Sequence, residues 1–249
     1  MIFFTDIDNT LIFSKKRSPK NAVCVEYKDG QPLSFMTERS IELYKTLFKK
    51  ITVVPVTTRS TEQFMRIEHI KNSHYAIVSN GAKLFIDGIE DKEWKDYYKA
   101  CVESCMPVFE KCKNTLKKFF PLCNVRMADN IFLYSRLDDE SKKAFEILSD
   151  LCKNDNVNIS ESHGKIYVIP SEIGKGKAVK RFIEKYKFSG KTVSAGDSLM
   201  DLDMLLSTDY SIAVYGELSE KLKNKTDTTV INSPYSSELI LEKVLNIST

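Results

Sequence analysis

Met1-Ile2-Phe3-Phe4-Thr5-Asp6-Ile7-Asp8-Asn9-Thr10-Leu11 opens the chain, an apolar run that stops abruptly at two acids spaced i, i+2. Ile2–Thr5 reads as a short buried strand. Where a strand ends the chain turns, so Asp6 and Asp8 can converge on one point in the crevice beyond the sheet. Two anions that close repel, which raises one pKa or recruits a cation. A hard divalent ion suits oxygen ligands, and Mg²⁺ is the expected one. A calcium loop starting at Asp6 would need Gly at its sixth position and Glu at its twelfth. Leu11 and Arg17 stand there, leaving a solvated acidic turn as the plain alternative.

Outward from this stretch the chain alternates between strand-like and helix-like segments. Thr37–Lys49 has helical spacing of its apolar residues, with Thr37 as N-cap; Ile51–Val56 is β-branched, Thr61–Ile70 helical and Tyr75–Val78 extended. The same theme resumes near the C-terminus. Helices are expected at Lys175–Tyr186, Leu199–Leu206, Leu218–Lys223 and Ser236–Leu245, and strands at Thr192–Ala195, Ser211–Val214 and Thr229–Ile231. Such alternation predicts an α/β fold, a Rossmann-like parallel sheet covered on both faces. The middle differs. A long helical stretch over Asp91–Phe119 should kink or break at Pro107. Strands at Asn124–Met127 and Ile131–Ser135, a helix at Asp139–Lys153 and a hairpin at 157–169 follow. This pattern predicts an inserted α+β domain over 83–165, splitting the core into 1–82 and 166–249, with hinges near Asn80-Gly81 and Ser171–Gly174. Ser14–Leu33 is polar and reads as a hairpin or flap over the first strand's carboxyl end.

Three more features lie where a strand or loop feeds a helix. Thr57-Thr58-Arg59 follows the second strand, where a hydroxyl and the N–H groups of a helix start can hold a phosphate oxygen, or simply cap the helix at Thr61. Gly174-Lys175-Gly176 sets an ammonium between glycines, so that it can approach a phosphate or an aspartate closely; the spacing is not that of a P-loop. Gly196-Asp197-Ser198-Leu-Met-Asp201 places Asp197 at a strand end and Asp201 one helical turn later on the same face. Helix capping accounts for part of that last pattern, but not for a matching acidic pair on another strand.

Taken in order, these four features resemble the haloacid dehalogenase superfamily, whose motifs are DxD, Ser/Thr, Lys and GDxxxD. Val78-Ser79-Asn80-Gly81-Ala82 and Gly174-Lys175-Gly176 are similar to the flanking signatures of its Cof-type and sucrose-phosphatase-like branch, which carries a large cap between the second and third motifs. The resemblance covers the whole chain. It implies a phosphatase with Mg²⁺ as cofactor. Asp6 would be the nucleophile, Asp8 the acid–base, and Thr57 and Lys175 would stabilise the transferring oxygens. Thr58, Arg59 and Asn80 would bind substrate, while Asp6, Asp8 (through its backbone carbonyl), Asp197 and Asp201 form or brace the metal site. It further implies a cap that closes during turnover, and a small phosphorylated metabolite as partner, a sugar phosphate by default. The chain departs from the pattern at Asn9 and Thr58, where Gly is commoner, and at Met200, where Asn is usual. Asp8 argues against a dehalogenase, whereas a phosphomutase and a non-catalytic phosphate sensor both stay open.

Composition narrows the classes. The chain has 249 residues, 42% hydrophobic and 29% charged, with a net charge of +3, too mild to point to nucleic acid. No apolar run reaches the roughly 18 residues of a membrane span, and Asp6 and Asp8 interrupt any signal peptide. The six cysteines form no CxxC pair, which fits buried free thiols in a reducing cytoplasm. The expectation is thus a cytoplasmic enzyme without membrane or nucleic-acid partners.

Overall fold

The computed structural model describes residues 1–248. The chain divides into two compact units, Met1–Asp91 with the segment from Lys175 onward, and Lys92–Gly174. Both edges fall later than the expected 83 and 165. Lys83–Ile86 pairs antiparallel with Tyr75–Val78, and Ile89–Glu90 with Lys83–Ile86, so this three-stranded meander stays with the first unit.

The first unit is built on a five-stranded parallel sheet. Its order is Thr228–Ile231, Tyr210–Val214, Thr192–Gly196, Ile2–Thr5, Thr52–Pro55. Successive strand residues face opposite sides, and both sides are covered. Phe3 joins a buried cluster with Ile41 and Leu47 from helix Glu38–Lys50 and Ile240 and Val244 from helix Ser236–Ser248. Phe4 meets Phe182 of helix Lys175–Lys185 edge-on at 5.6 Å. The central strand therefore reads as an unbroken apolar run. Thr37 caps the helix Glu38–Lys50, its side chain accepting from the Ser40 N–H. Helix Thr61–Met65 is shorter than the sequence pattern implies.

The Ser14–Leu33 region forms a small antiparallel sheet of Phe13–Ser14, Gln31–Thr37 and Ala22–Lys28. Asp29 and Gly30, both with positive φ, make its tight turn.

The second unit has a four-stranded antiparallel sheet ordered Val157–Ser162, Lys165–Pro170, Phe132–Arg136, Arg126–Ala128. Helices Lys92–Phe119 and Ser141–Leu151 bury Phe109, Cys112, Leu116, Ala144 and Leu148 with Leu133, Ile166 and Val168 of this sheet. The long helix runs through Pro107 without breaking. A mid-helix proline costs about 3 kcal/mol. That loss is offset by a face that buries Trp94, Tyr98, Cys105, Phe109, Cys112 and Leu116, at about 1.5–3 kcal/mol for each large apolar side chain. The Cys112 and Cys152 thiols lie 3.2 Å apart as free cysteines, and burial pushes both above the usual thiol range.

Candidate active site

The strand order fixes where a site can form. From Ile2–Thr5 the chain passes first to Thr52–Pro55 on one side of it and later to Thr192–Gly196 on the other. The carboxyl end of Ile2–Thr5 is thus a topological switch point, where the connections diverge and leave a crevice. Asp6 is the first residue past that end, and its N–H donates to the Ala195 carbonyl at 2.9 Å. Asp197 follows the neighbouring strand and Thr57 the strand on the other side.

Within this crevice Lys175 is buried, and its Nζ lies 2.5 Å from Asp6 Oδ1 and 2.5 Å from Asp201 Oδ1. Asp201 Oδ2 accepts from the backbone N–H groups of Asp197 (3.2 Å) and Ser198 (3.0 Å) and from the Ser198 hydroxyl (3.1 Å). Asp201 is therefore a brace, fixing Lys175 with one oxygen and the turn after Gly196 with the other. The glycines flanking these groups have a steric purpose. A Cβ on Gly196 would lie 2.5 Å from Asp201 Cβ and 2.8 Å from its Oδ2. Gly176 likewise lets helix Lys175–Lys185 touch the backbone of Asp203, where a Cβ would come within 2.5 Å. Gly196→Ala is accordingly expected to push Asp201 off Lys175 and to destabilise the protein by about 1–3 kcal/mol, read by urea unfolding. Unchanged stability would show that the loop shifts freely.

One oxygen from each of Asp6, Asp197 and Asp201 falls within 4.8 Å of the others, an all-oxygen set that can hold a hard cation. Burial pushes the Asp6 carboxyl well above the usual carboxylate range; Lys175 opposes this, while Asp201, Asp197 and Asp8 add to it. For Lys175, burial pulls its pKa down, but the Asp201 and Asp6 carboxylates outweigh burial and leave it raised. Three acids around one ammonium leave negative charge in excess, which is the electrostatic condition for cation binding. The donor set fits a divalent metal.

The Asp8 side chain is not one of these three. Its carboxylate takes a two-pronged salt bridge from Arg59, Nε to Oδ2 at 2.7 Å and Nη2 to Oδ1 at 2.8 Å. Asn9, with φ 57, occupies the left-handed region that an asparagine tolerates, which explains how it stands in for a glycine. Thr57 is buried and its Oγ1 accepts from the Arg59 N–H. The helix at Thr61 is capped by Ser60 in a box with Gln63, so neither Thr57 nor Thr58 is the cap. Asn80 is buried at φ 58, donates its N–H to the Thr57 carbonyl, and its Oδ1 has no hydrogen-bond partner among the described residues. Met200 is half-buried in the turn Leu199–Asp201 and outside the buried core.

Arg59 differs from its expected part as a substrate ligand. Its remaining N–H groups reach Glu26 Oε1 (2.9 Å), the Gln63 carbonyl (3.2 Å) and Ser34 Oγ (3.4 Å), so all five N–H groups have protein acceptors. Glu26 and Ser34 have no motif in the sequence; the one trace is an acid inside the strand-like Val23-Cys24-Val25-Glu26-Tyr27.

The chain is similar in part of its sequence and in its fold to known proteins. A family profile described as haloacid dehalogenase-like hydrolase matches residues 124–235, which include Lys175, Asp197 and Asp201. That match spans somewhat less than half of the chain, so the family resemblance rests on its C-terminal part and on the fold. The chain is 33% identical over 92 residues to a phosphoglycolate phosphatase of Staphylothermus marinus, a match spanning 36% of this chain and 38% of that relative. Its fold resembles the sucrose-phosphatase of Synechocystis, solved with sucrose and phosphate, at a TM-score of 0.70 and 13% identity over 99% of this chain and 97% of the other. It also resembles the C-terminal domain of the C. albicans trehalose-6-phosphate phosphatase, at a TM-score of 0.64 and 16% identity over 98% and 91%. No helix among the described residues is long and apolar enough to cross a membrane.

Proposed function

We propose that this protein is a Mg²⁺-dependent phosphomonoesterase that works through an aspartyl phosphate on Asp6 and acts on small phosphorylated metabolites, sugar phosphates foremost. The observation that carries this reading is the buried Lys175 clamped between Asp6 and Asp201, beside Asp197, at the switch point of the sheet. Lys175 fixes Asp6 Oδ1, so Oδ2, approached by Thr10 Oγ1 at 3.4 Å, is the oxygen that attacks phosphorus. The bond from phosphorus to the leaving oxygen breaks, and Asp8 supplies the proton that oxygen needs. Asp8 then takes a proton from the water that attacks the phosphorus, and the Asp6 carboxylate is released. The Lys175 ammonium and the Thr57 and Thr58 groups stabilise charge on the transferring oxygens. The unpartnered Asn80 Oδ1 is an acceptor suited to a substrate donor. Asp6, Asp197 and the Asp8 carbonyl, with Asp201 bracing, would hold Mg²⁺, which would supply positive charge between a carboxylate and a phosphate.

A panel of phosphomonoesters, read by released phosphate, tests the proposal. Turnover is expected with Mg²⁺ and is expected to disappear with EDTA and return with added Mg²⁺. Turnover indifferent to EDTA would remove the metal from the reading, and no release from any ester would remove the activity. The sugar-phosphate preference rests on the names of the sucrose- and trehalose-phosphate relatives and is tested by the ranking within the panel.

A further inference from the structure

Glu26 is a buried acid far in sequence from every motif, and it is 1% exposed. Val25 and Glu26 are adjacent and both buried, so each of the opposite faces they point to is covered at this place. The pairing of Ala22–Lys28 with Gln31–Thr37 shifts register at Cys24/Glu26 and again at Glu26/Tyr27. Irregularities of this kind re-aim a side chain, and here they turn Glu26 inward. The turned-in carboxylate is fully engaged. Oε2 accepts from Ser34 Oγ at 2.6 Å, and Oε1 meets Arg59 Nη1 at 2.9 Å and Arg66 Nη2 at 3.2 Å. The backbone is tied down as well, by a bridge between Glu26 and Ile67 and by the Glu68 N–H on the Val25 carbonyl at 2.7 Å.

The consequence runs through Arg59. The edge of its guanidinium that carries Nε and Nη2 grips Asp8, while Nη1 is held by Glu26 and Gln63. A planar group fixed on two sides cannot pivot, and whatever it grips is fixed with it. The Asp8 side chain is 47% exposed, and Arg59 holds both of its carboxylate oxygens. We propose that Glu26 is a positioning residue for the reaction. It locks Arg59, and through Arg59 it sets the direction of the Asp8 carboxylate, making the small antiparallel sheet part of the catalytic machinery. This inference rests on the phosphatase reading for its activity readout.

The test is a double-mutant cycle between Glu26→Gln and Asp8→Asn, followed both by phosphate release and by urea unfolding. Glu26→Gln keeps the shape and removes the charge. It is expected to lower kcat about 10- to 100-fold, the cost of a catalytic group displaced by about an ångström, with KM changed less than about threefold, since binding of the phosphate itself is left alone. In the Asp8→Asn background the same change is expected to cost no further kcat, and Glu26→Asp is expected to recover part of the loss. Additive kcat losses, or a loss confined to KM, would overturn the proposal even if unfolding showed coupling. Should Glu26→Gln fail to fold, Glu26→Asp, which keeps the charge and withdraws the carboxylate from Arg59, replaces it in the cycle. A wild-type protein inert on every ester would overturn the phosphatase reading, and the unfolding cycle would then decide by itself: coupling between positions 26 and 8 upholds the linkage, additivity overturns it.

Discussion

Asp6→Asn is expected to abolish phosphate release and, at the same time, to make the metal-free protein more stable. Loss of turnover follows because an amide neither attacks phosphorus nor ligates a cation as a carboxylate does. The gain in stability follows from burial, which raises the Asp6 carboxyl well above its ordinary value. Between the ordinary value and the raised one, the folded chain holds a proton that the unfolded chain has released. Stability therefore falls as pH rises through that window, and the deficit persists above it. The variant lacks this dependence. Urea midpoints in EDTA at several pH values are expected to diverge from wild type as pH rises, with the variant the more stable. A variant less stable at neutral pH would mean that the Lys175 contact outweighs burial and the neighbouring acids.

Lys175→Met is expected to do the opposite to stability and the same to activity. The ammonium is buried, touching Asp6 and Asp201 at 2.5 Å each. Removing it leaves two buried carboxylates without their shared cation, and breaking a buried pair from one side costs about 3–5 kcal/mol. Part of that loss is expected to return on adding Mg²⁺, because a divalent ion neutralises the same acids. Phosphate release is expected to stay at background even with Mg²⁺, since the charge on the transferring oxygens is no longer countered. Thermal melting with and without Mg²⁺ reads the first effect. A melting temperature equal to that of wild type would show that Asp6 takes up a proton at little cost.

The acidic pairs were legible because strand ends in an α/β sheet announce themselves. An apolar run that stops at an acid recurs at Asp6 and at Asp197, and the structure brings both to the central crevice with Lys175. The helix at Lys92–Phe119 was legible in extent but not in continuity, because the compensation for Pro107 comes from residues buried by tertiary packing. Arg59 was legible as a member of the site and not as the partner of Asp8. Its acceptors come from four separate segments of chain, at Asp8, Glu26, Ser34 and Gln63. Glu26 left only the trace of an acid inside a strand-like run, since the register shifts beside it have no residue signature. The edges of the inserted unit were hidden for a similar reason. Lys83–Ile86 has ordinary strand composition, and only its pairing with Tyr75–Val78 assigns it to the first unit.

The placement of Ile2–Thr5 between Thr52–Pro55 and Thr192–Gly196 has a consequence for biosynthesis. On a ribosome the first strand leaves the exit tunnel long before its second neighbour has been translated. Until then Phe3, Phe4 and the unpaired edge of that strand must be shielded or remain unstructured, because an exposed apolar edge invites association with other nascent chains. The Lys92–Gly174 unit is contiguous in sequence and has a buried core of its own, so it can acquire order while the N-terminal segment is still waiting. Ribosome-bound chains halted once the whole Lys92–Gly174 unit has left the tunnel, but before Thr192–Gly196 has, would therefore resist protease in their middle and be cut at their beginning. A chain released without the segment that carries Thr192–Gly196 would be a candidate for quality control rather than a partly active enzyme.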